Sequence, residues 1–212
     1  MQLFLIRHGE TPTNVVKRLE TRVPGPDLTP TGREQADALA ASFVSRRLDA
    51  VYVSPLVRTH QTAAPLLQGR DLVAVELPGL LEIEAGELEG HDDRAAVERY
   101  HGTIGAWVAG DLDRAMPGTI TGRAFLDRFD GAVERIATAG DEVVVAVSSG
   151  AAIRAWVGLR VDNVDLAFVA DHVLGNTGVV ELQGSPDDGW TCVAWEGAGV
   201  TAGATDAAGG VI

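Results

Sequence analysis

An arginine and a histidine stand side by side where a short apolar run ends, in Leu3-Phe4-Leu5-Ile6-Arg7-His8-Gly9. Four apolar residues are too few for a helix and about right for a buried strand. Both polar groups are costly to desolvate, so either the strand ends in an ordinary surface pair or the two face a cleft. In a cleft they suit one chemistry. A guanidinium neutralises phosphate oxygens bidentately while a neighbouring imidazole attacks phosphorus. Gly9 allows the sharp turn that follows.

Three further positions bear on the choice. Arg58 falls in the first turn of a helix expected after the strand Ala50 to Val53. The dipole there favours acidic residues, so a nearby anion explains an arginine better than helix stability does, with a surface salt bridge as the plain alternative. Ser148-Ser149-Gly150 leads from the strand Glu142 to Val147 into a helix whose first N–H groups can receive an anion. Glu82, between Leu81 and Ile83, is the acidic residue expected to be partly buried, with a raised pKa suited to proton donation. Glu84, Glu87 and Glu89 read as an exposed acidic loop.

The elements that must position these groups alternate. Pro12 to Pro26 reads as an irregular loop with Asn14, Arg18 and Arg22. A helix starts at Thr29-Pro30, with threonine as N-cap and proline at the first position, and is expected to end near Arg47. Further strands are expected at Leu72 to Leu77, Thr177 to Leu182 and Thr191 to Trp195. Helices are expected at Asp92 to Val108 and Thr119 to Ala139, with Trp107, Phe125 and Phe129 in the core. Alternating strands and helices imply a three-layer α/β/α sandwich around a central, mostly parallel sheet, with ligands at the strand C-terminal ends. Residues 1–196 read as one domain with a cap insertion at about 91–122, and 197–212 as a flexible tail.

The chain has 212 residues, 46% of them apolar, and a formal net charge of −13. That charge argues against nucleic acid and anionic membrane as partners. No apolar run approaches the ~20 residues of a membrane span, and no basic signal region opens the chain, so a cytoplasmic location is the default expectation. The one cysteine, Cys192, cannot form an internal disulfide, and no Cys/His pattern suggests a metal.

Taken in order, these motifs resemble the histidine phosphatase superfamily, the phosphoglycerate-mutase-like proteins. The carriers are Arg7-His8-Gly9-Glu10-Thr11 with Asn14, then Leu28-Thr29 with Gly32 and Gln35-Ala36. Ser54-Pro55-Leu56 with Arg58 and Thr62-Ala63 follow, then Leu81-Glu82 with Gly86 and Glu89-Gly90. The resemblance implies that His8 accepts the phosphoryl group and that Arg7, Arg58 and Asn14 bind phosphate. Glu82 would protonate the leaving oxygen and later deprotonate water. It implies a phosphomonoesterase of the histidine acid phosphatase type, needing no metal or cofactor. The partner would be a small phosphorylated substrate or inorganic phosphate, and a homodimer is left open.

One departure stands out. Where the family reads Ser-His-Gly, this chain has Ser148-Ser149-Gly150, so a second cationic donor is replaced by a hydroxyl. The remaining histidines, His60, His91, His101 and His172, read as solvated. Glu20-Thr21 also replaces a Gln-Gly pair, and Pro117 to Ile120 a Gly-Glu-Ser type sequence. Three readings follow: a phosphomonoesterase with lowered activity, a catalytically impaired phosphate-ester-binding protein, and, last, a phosphomutase.

Overall fold

The computed structural model describes residues 1–200. Seven strands, β1 (Gln2–Arg7), β2 (Ala50–Val53), β3 (Ala74–Glu76), β4 (Val143–Ser148), β5 (Val179–Ser185), β6 (Gly189–Trp195) and β7 (Ala198–Gly199), form one sheet. Their order is β3-β2-β4-β1-β5-β6-β7. The first four are mutually parallel, and β5 to β7 extend the β1 edge antiparallel.

Strand alternation divides the core between the two faces. Phe4 and Ile6 of β1 and Val145 and Val147 of β4 pack on α2 (Pro30–Ser42) and α3 (Val57–Leu67). Leu3, Leu5, Val144 and Ala146 face the larger cluster instead. That cluster is built with α4 (Arg94–Val108), α5 (Gly122–Thr138), α6 (Gly150–Arg160) and α7 (Leu166–Asp171). Trp107, Phe125, Phe129 and Trp156 are buried there as a continuous aromatic row. The expected α/β sandwich is the fold observed.

Local differences from expectation have local causes. The helix from Thr29, whose hydroxyl caps Gly32 N–H at 2.9 Å, stops at Ser42 rather than near Arg47. There the chain tightens so that Phe43 meets the ring of Phe4 edge-on at 5.1 Å. The loop after β1 contains a short helix, α1 (Pro12–Val15), capped by Thr11. Strand β3 keeps only three residues, because its edge position leaves Val73 and Val75 exposed. Helix α7, capped by Asp165, was not expected from the sequence. The sheet continues through β7, so residues 198–199 pair with β6. The rest of the expected tail, 201–212, lies outside the described residues.

Candidate active site

At the C-terminal ends of β1 and β4 lies a cavity of about 330 Å³ lined by Arg7, His8, Asn14, Arg58, Glu82 and Gly150. His8 follows β1, its backbone N–H donating to Ser148 of β4 at 3.0 Å. The imidazole is only 4% exposed. Its Nδ1 lies 2.8 Å from the carbonyl of Gly9, which accepts the Nδ1 proton and leaves Nε2 as the free nitrogen. Burial, then the positive charges of Arg58 and Arg7, hold the His8 pKa well below the ordinary histidine range, despite the opposing pull of Gly9. A neutral ring with one lone pair is what a nucleophile at phosphorus needs.

Gly9 serves by close approach, not by an unusual backbone angle. A Cβ there would lie 2.6 Å from the carbonyl oxygen of Gly32, in the first turn of α2. The Gly9 N–H donates to the Thr62 hydroxyl at 2.9 Å, so α3 also fixes the turn that carries His8.

The two arginines are held from behind and left open in front. Arg7 Nη1 donates to the carbonyl of Leu174 at 2.7 Å, and its Nε is buried without a partner. Arg58, 3% exposed, donates from Nη2 to the carbonyl of Glu20 at 3.2 Å, while its Nε and Nη1 have none. Burial lowers the pKa of both, opposed chiefly by Glu82, yet a guanidinium stays charged. Unpaired buried N–H donors on two fixed cations are costly unless an anion completes them. Asn14 complements them. Its Oδ1 accepts from the Thr11 N–H and from Asn176 Nδ2, both at 3.1 Å, so its amide N–H groups remain for a ligand.

Glu82 is half-buried, and its setting was not legible in the sequence. Oε1 accepts the N–H groups of Ile83 at 2.9 Å and Ala152 at 2.8 Å, whereas Oε2 receives only Ala151 N–H at 3.3 Å. The first turn of α6 therefore positions this carboxylate, and Oε2 is its less engaged oxygen. Ser149, the N-cap residue of α6, is fully buried, and its hydroxyl neither caps the helix nor finds any partner. It does not line the cavity. Gly150 does, and a Cβ there would stand 3.0 Å from Arg7 Cδ. Glycine thus lets α6 start against the arginine.

The motif match now has a geometry beneath it. A model of the histidine phosphatase superfamily (branch 1) matches residues 3–197. The chain belongs to that superfamily. Among curated relatives, the PE-PGRS family protein PE_PGRS11 of Mycobacterium tuberculosis is 37% identical over 91% of this chain and 36% of its own length. Phosphoserine phosphatase 1 of Hydrogenobacter thermophilus is 32% identical over 51% of each chain. The chain spans about a third to a half of the length of these two relatives. A mycobacterial glucosyl-3-phosphoglycerate phosphatase has the same fold, with a TM-score of 0.76 at 24% identity, covering 92% of this chain and 98% of that one.

Further residues of this histidine phosphatase site were not expected at the cavity from the sequence, or were read there only as departures or solvated groups. Tyr100 is buried, donating its hydroxyl to the Ile83 carbonyl at 2.7 Å, and lines the cavity with Val97 and His101 of α4. Asn176 ties the His8 carbonyl to Asn14. Arg154 of α6 also reaches the cavity wall. Glu20 lines the cavity too, but what it gives Arg58 is its backbone oxygen. Thr21 is tied to Glu89 by its N–H and hydroxyl, so Glu89 braces this loop. His172 stacks on Phe168 away from the cavity. Among the described residues, no group of three or more His, Cys, Asp or Glu side chains could hold a metal ion, and no helix is long and apolar enough to cross a membrane.

Burial of a neutral His8 has a measurable consequence. The unfolded chain protonates this histidine near 6.5, whereas the folded state does not until well below that value. Below 6.5 the unfolded state therefore binds more protons, and stability falls as pH falls. Denaturant unfolding between pH 7 and pH 5 is expected to show that loss, and His8→Gln to lack part of it. An identical pH slope in the two proteins would contradict the assignment.

Proposed function

We propose that this protein is a metal-independent phosphomonoesterase of the histidine acid phosphatase type. It hydrolyses a small phosphorylated metabolite through a phosphohistidine on His8. The observation that carries this reading is the neutral His8, its Nδ1 proton held by Gly9 and Nε2 free, between two arginines with unpartnered N–H groups. Relatives named as phosphoserine phosphatase and as adenosylcobalamin/alpha-ribazole phosphatase support the reaction class.

In the first step Nε2 attacks phosphorus, the P–O bond to the leaving group breaks, and Glu82 gives its proton to the departing oxygen. In the second, Glu82 removes a proton from water, whose oxygen attacks phosphorus, and the P–N bond breaks to release inorganic phosphate and free His8. Arg7, Arg58 and the Asn14 amide hold the phosphoryl oxygens throughout, with the α6 N-terminus at Gly150 facing the same cavity. Glu82→Gln is expected to slow esters of alkyl alcohols by about 10²–10⁴-fold, and esters of acidic phenols much less. Equal loss for both, measured as kcat/KM, would remove Glu82 from the acid role.

The second reading is a phosphate-ester-binding protein of the same fold. Ser149 favours it, because its buried hydroxyl brings no charge and no donor into the cavity. Quenched-flow detection of an acid-labile phosphohistidine separates the two: accumulation or turnover supports the enzyme, and tight ester binding without either supports the binder.

A further inference from the structure

A further arginine, Arg154, reaches the cavity with no carboxylate among the described residues to pair with. Gly150, Ala151 and Arg154 share one side of α6 through i, i+3 and i, i+4 spacing, and all three line the cavity. Arg154 donates from Nη2 to the carbonyl of Val169 on α7, and its Nε is buried without a partner. Among the described residues it forms no ion pair. A half-buried guanidinium without a carboxylate is costly unless something outside the chain completes it.

Its place in the cavity says which part of a substrate that would be. Gly150 opens α6 against Arg7, where a Cβ would stand 3.0 Å from Arg7 Cδ, and Arg154 follows one helical turn later, where it shares the cavity wall with His101 of α4. Arg154 therefore stands farther along the cavity than the arginine beside His8. Arg7 and Arg58 already balance a phosphate dianion; of the other cations lining the cavity, Arg18 pairs with Asp92, Lys17 follows α1, and Arg154 is the one on α6. Behind His101, Ala151 and Arg154, a second cavity of about 280 Å³ lies between α4, α6 and α7, lined by Ile104, Val108, Ala155 and Val169. These two cavities share the wall on which the guanidinium sits.

We propose that Arg154 determines specificity by binding a second anionic group, a carboxylate or a second phosphate, on the leaving moiety of the ester. The adjoining compartment takes the apolar part of that moiety. This deepens the phosphomonoesterase reading and rests on it.

Three aryl esters test it: phenyl phosphate, 3-carboxyphenyl phosphate and 1,3-phenylene bisphosphate. A charge-assisted contact is worth roughly ten- to a hundredfold. In the native protein, kcat/KM for at least one doubly anionic ester is expected to exceed that for phenyl phosphate by that factor, mainly through KM. Which of the two gains more identifies the anion. In Arg154→Gln the ratio falls to near one, and in Arg154→Lys it is partly kept. A native ratio near one overturns the proposal, as does a ratio unchanged in Arg154→Gln, because a merely structural arginine lowers all three esters alike. Affinities of His8→Ala for the same esters, with and without Arg154→Gln, are read in parallel. If the native protein turns over none of them, the hydrolytic reading fails, while the affinity ratios still judge Arg154 on the same criterion.

Discussion

Replacing His8 by alanine is expected to reduce hydrolysis of a chromogenic phosphate ester by on the order of 10⁴-fold or more and to abolish trapped phosphohistidine. The size of the effect follows from the arrangement: no other described histidine lies where it could take over. His101 stands exposed at the rim, and His172 is turned onto Phe168 outside the cavity. The variant should stay folded, because the strand end is held by backbone bonds from Arg7 to Gly178 and from His8 to Ser148, at 3.0 Å each, which an alanine keeps. Near-native turnover in a folded His8→Ala, judged by circular dichroism and thermal melting, would sink the covalent mechanism.

The second large effect runs the other way. Ser149→His is expected to raise kcat by about 10²–10³-fold, the usual worth of one preorganised donor to a transferring group. The present serine spends nothing on the cavity: its hydroxyl is buried, unpartnered and off the wall. It sits directly before Gly150, which lines the cavity, and beside the start of α6 that holds Glu82, so an imidazole at this position turned toward the cavity adds a donor to it. Removing the orphaned hydroxyl also relieves a buried polar group. Ser149→Ala serves as the control, expected to match the native protein in turnover and to be no less stable. If Ser149→His folds and gains nothing, the chain has no vacancy for a second cation at this position, and the serine is not the weak point of the site.

How much of this was legible beforehand differs from residue to residue. Arg7-His8 and Gly150 were readable because each follows an apolar run at a strand's end, and Arg58 because it opens the helix after one; Ser149 was expected at the phosphate as well and lies off the cavity wall. An α/β sheet delivers such ends to one edge whatever the details of packing. Glu82 was readable as a carboxylate between two apolar residues, but not as one held by the first turn of α6, since Ala151 and Ala152 are about seventy residues away. The short helix α1 was hidden because its cap is a reciprocal bond between Thr11 and Asn14 rather than an apolar period. Helix α7 was hidden because six residues are too few to show one.

The sequence by itself determined the layered α/β architecture and which histidine and arginines stand at strand ends and helix starts, because periodicity and strand-end position are local properties. Only the tertiary structure decided which nitrogen of His8 is free, how Asn14 is turned, that Ser149 lies off the cavity and that Arg154 reaches into it. Two of those depend on partners on other elements, Asn176 for Asn14 and Val169 across the α6–α7 contact for Arg154, while the ring of His8 is turned by its neighbour Gly9 on a backbone held by Ser148 of the adjacent strand. Side-chain direction is set by what packs behind it. In this site what packs behind comes largely from other elements of the fold.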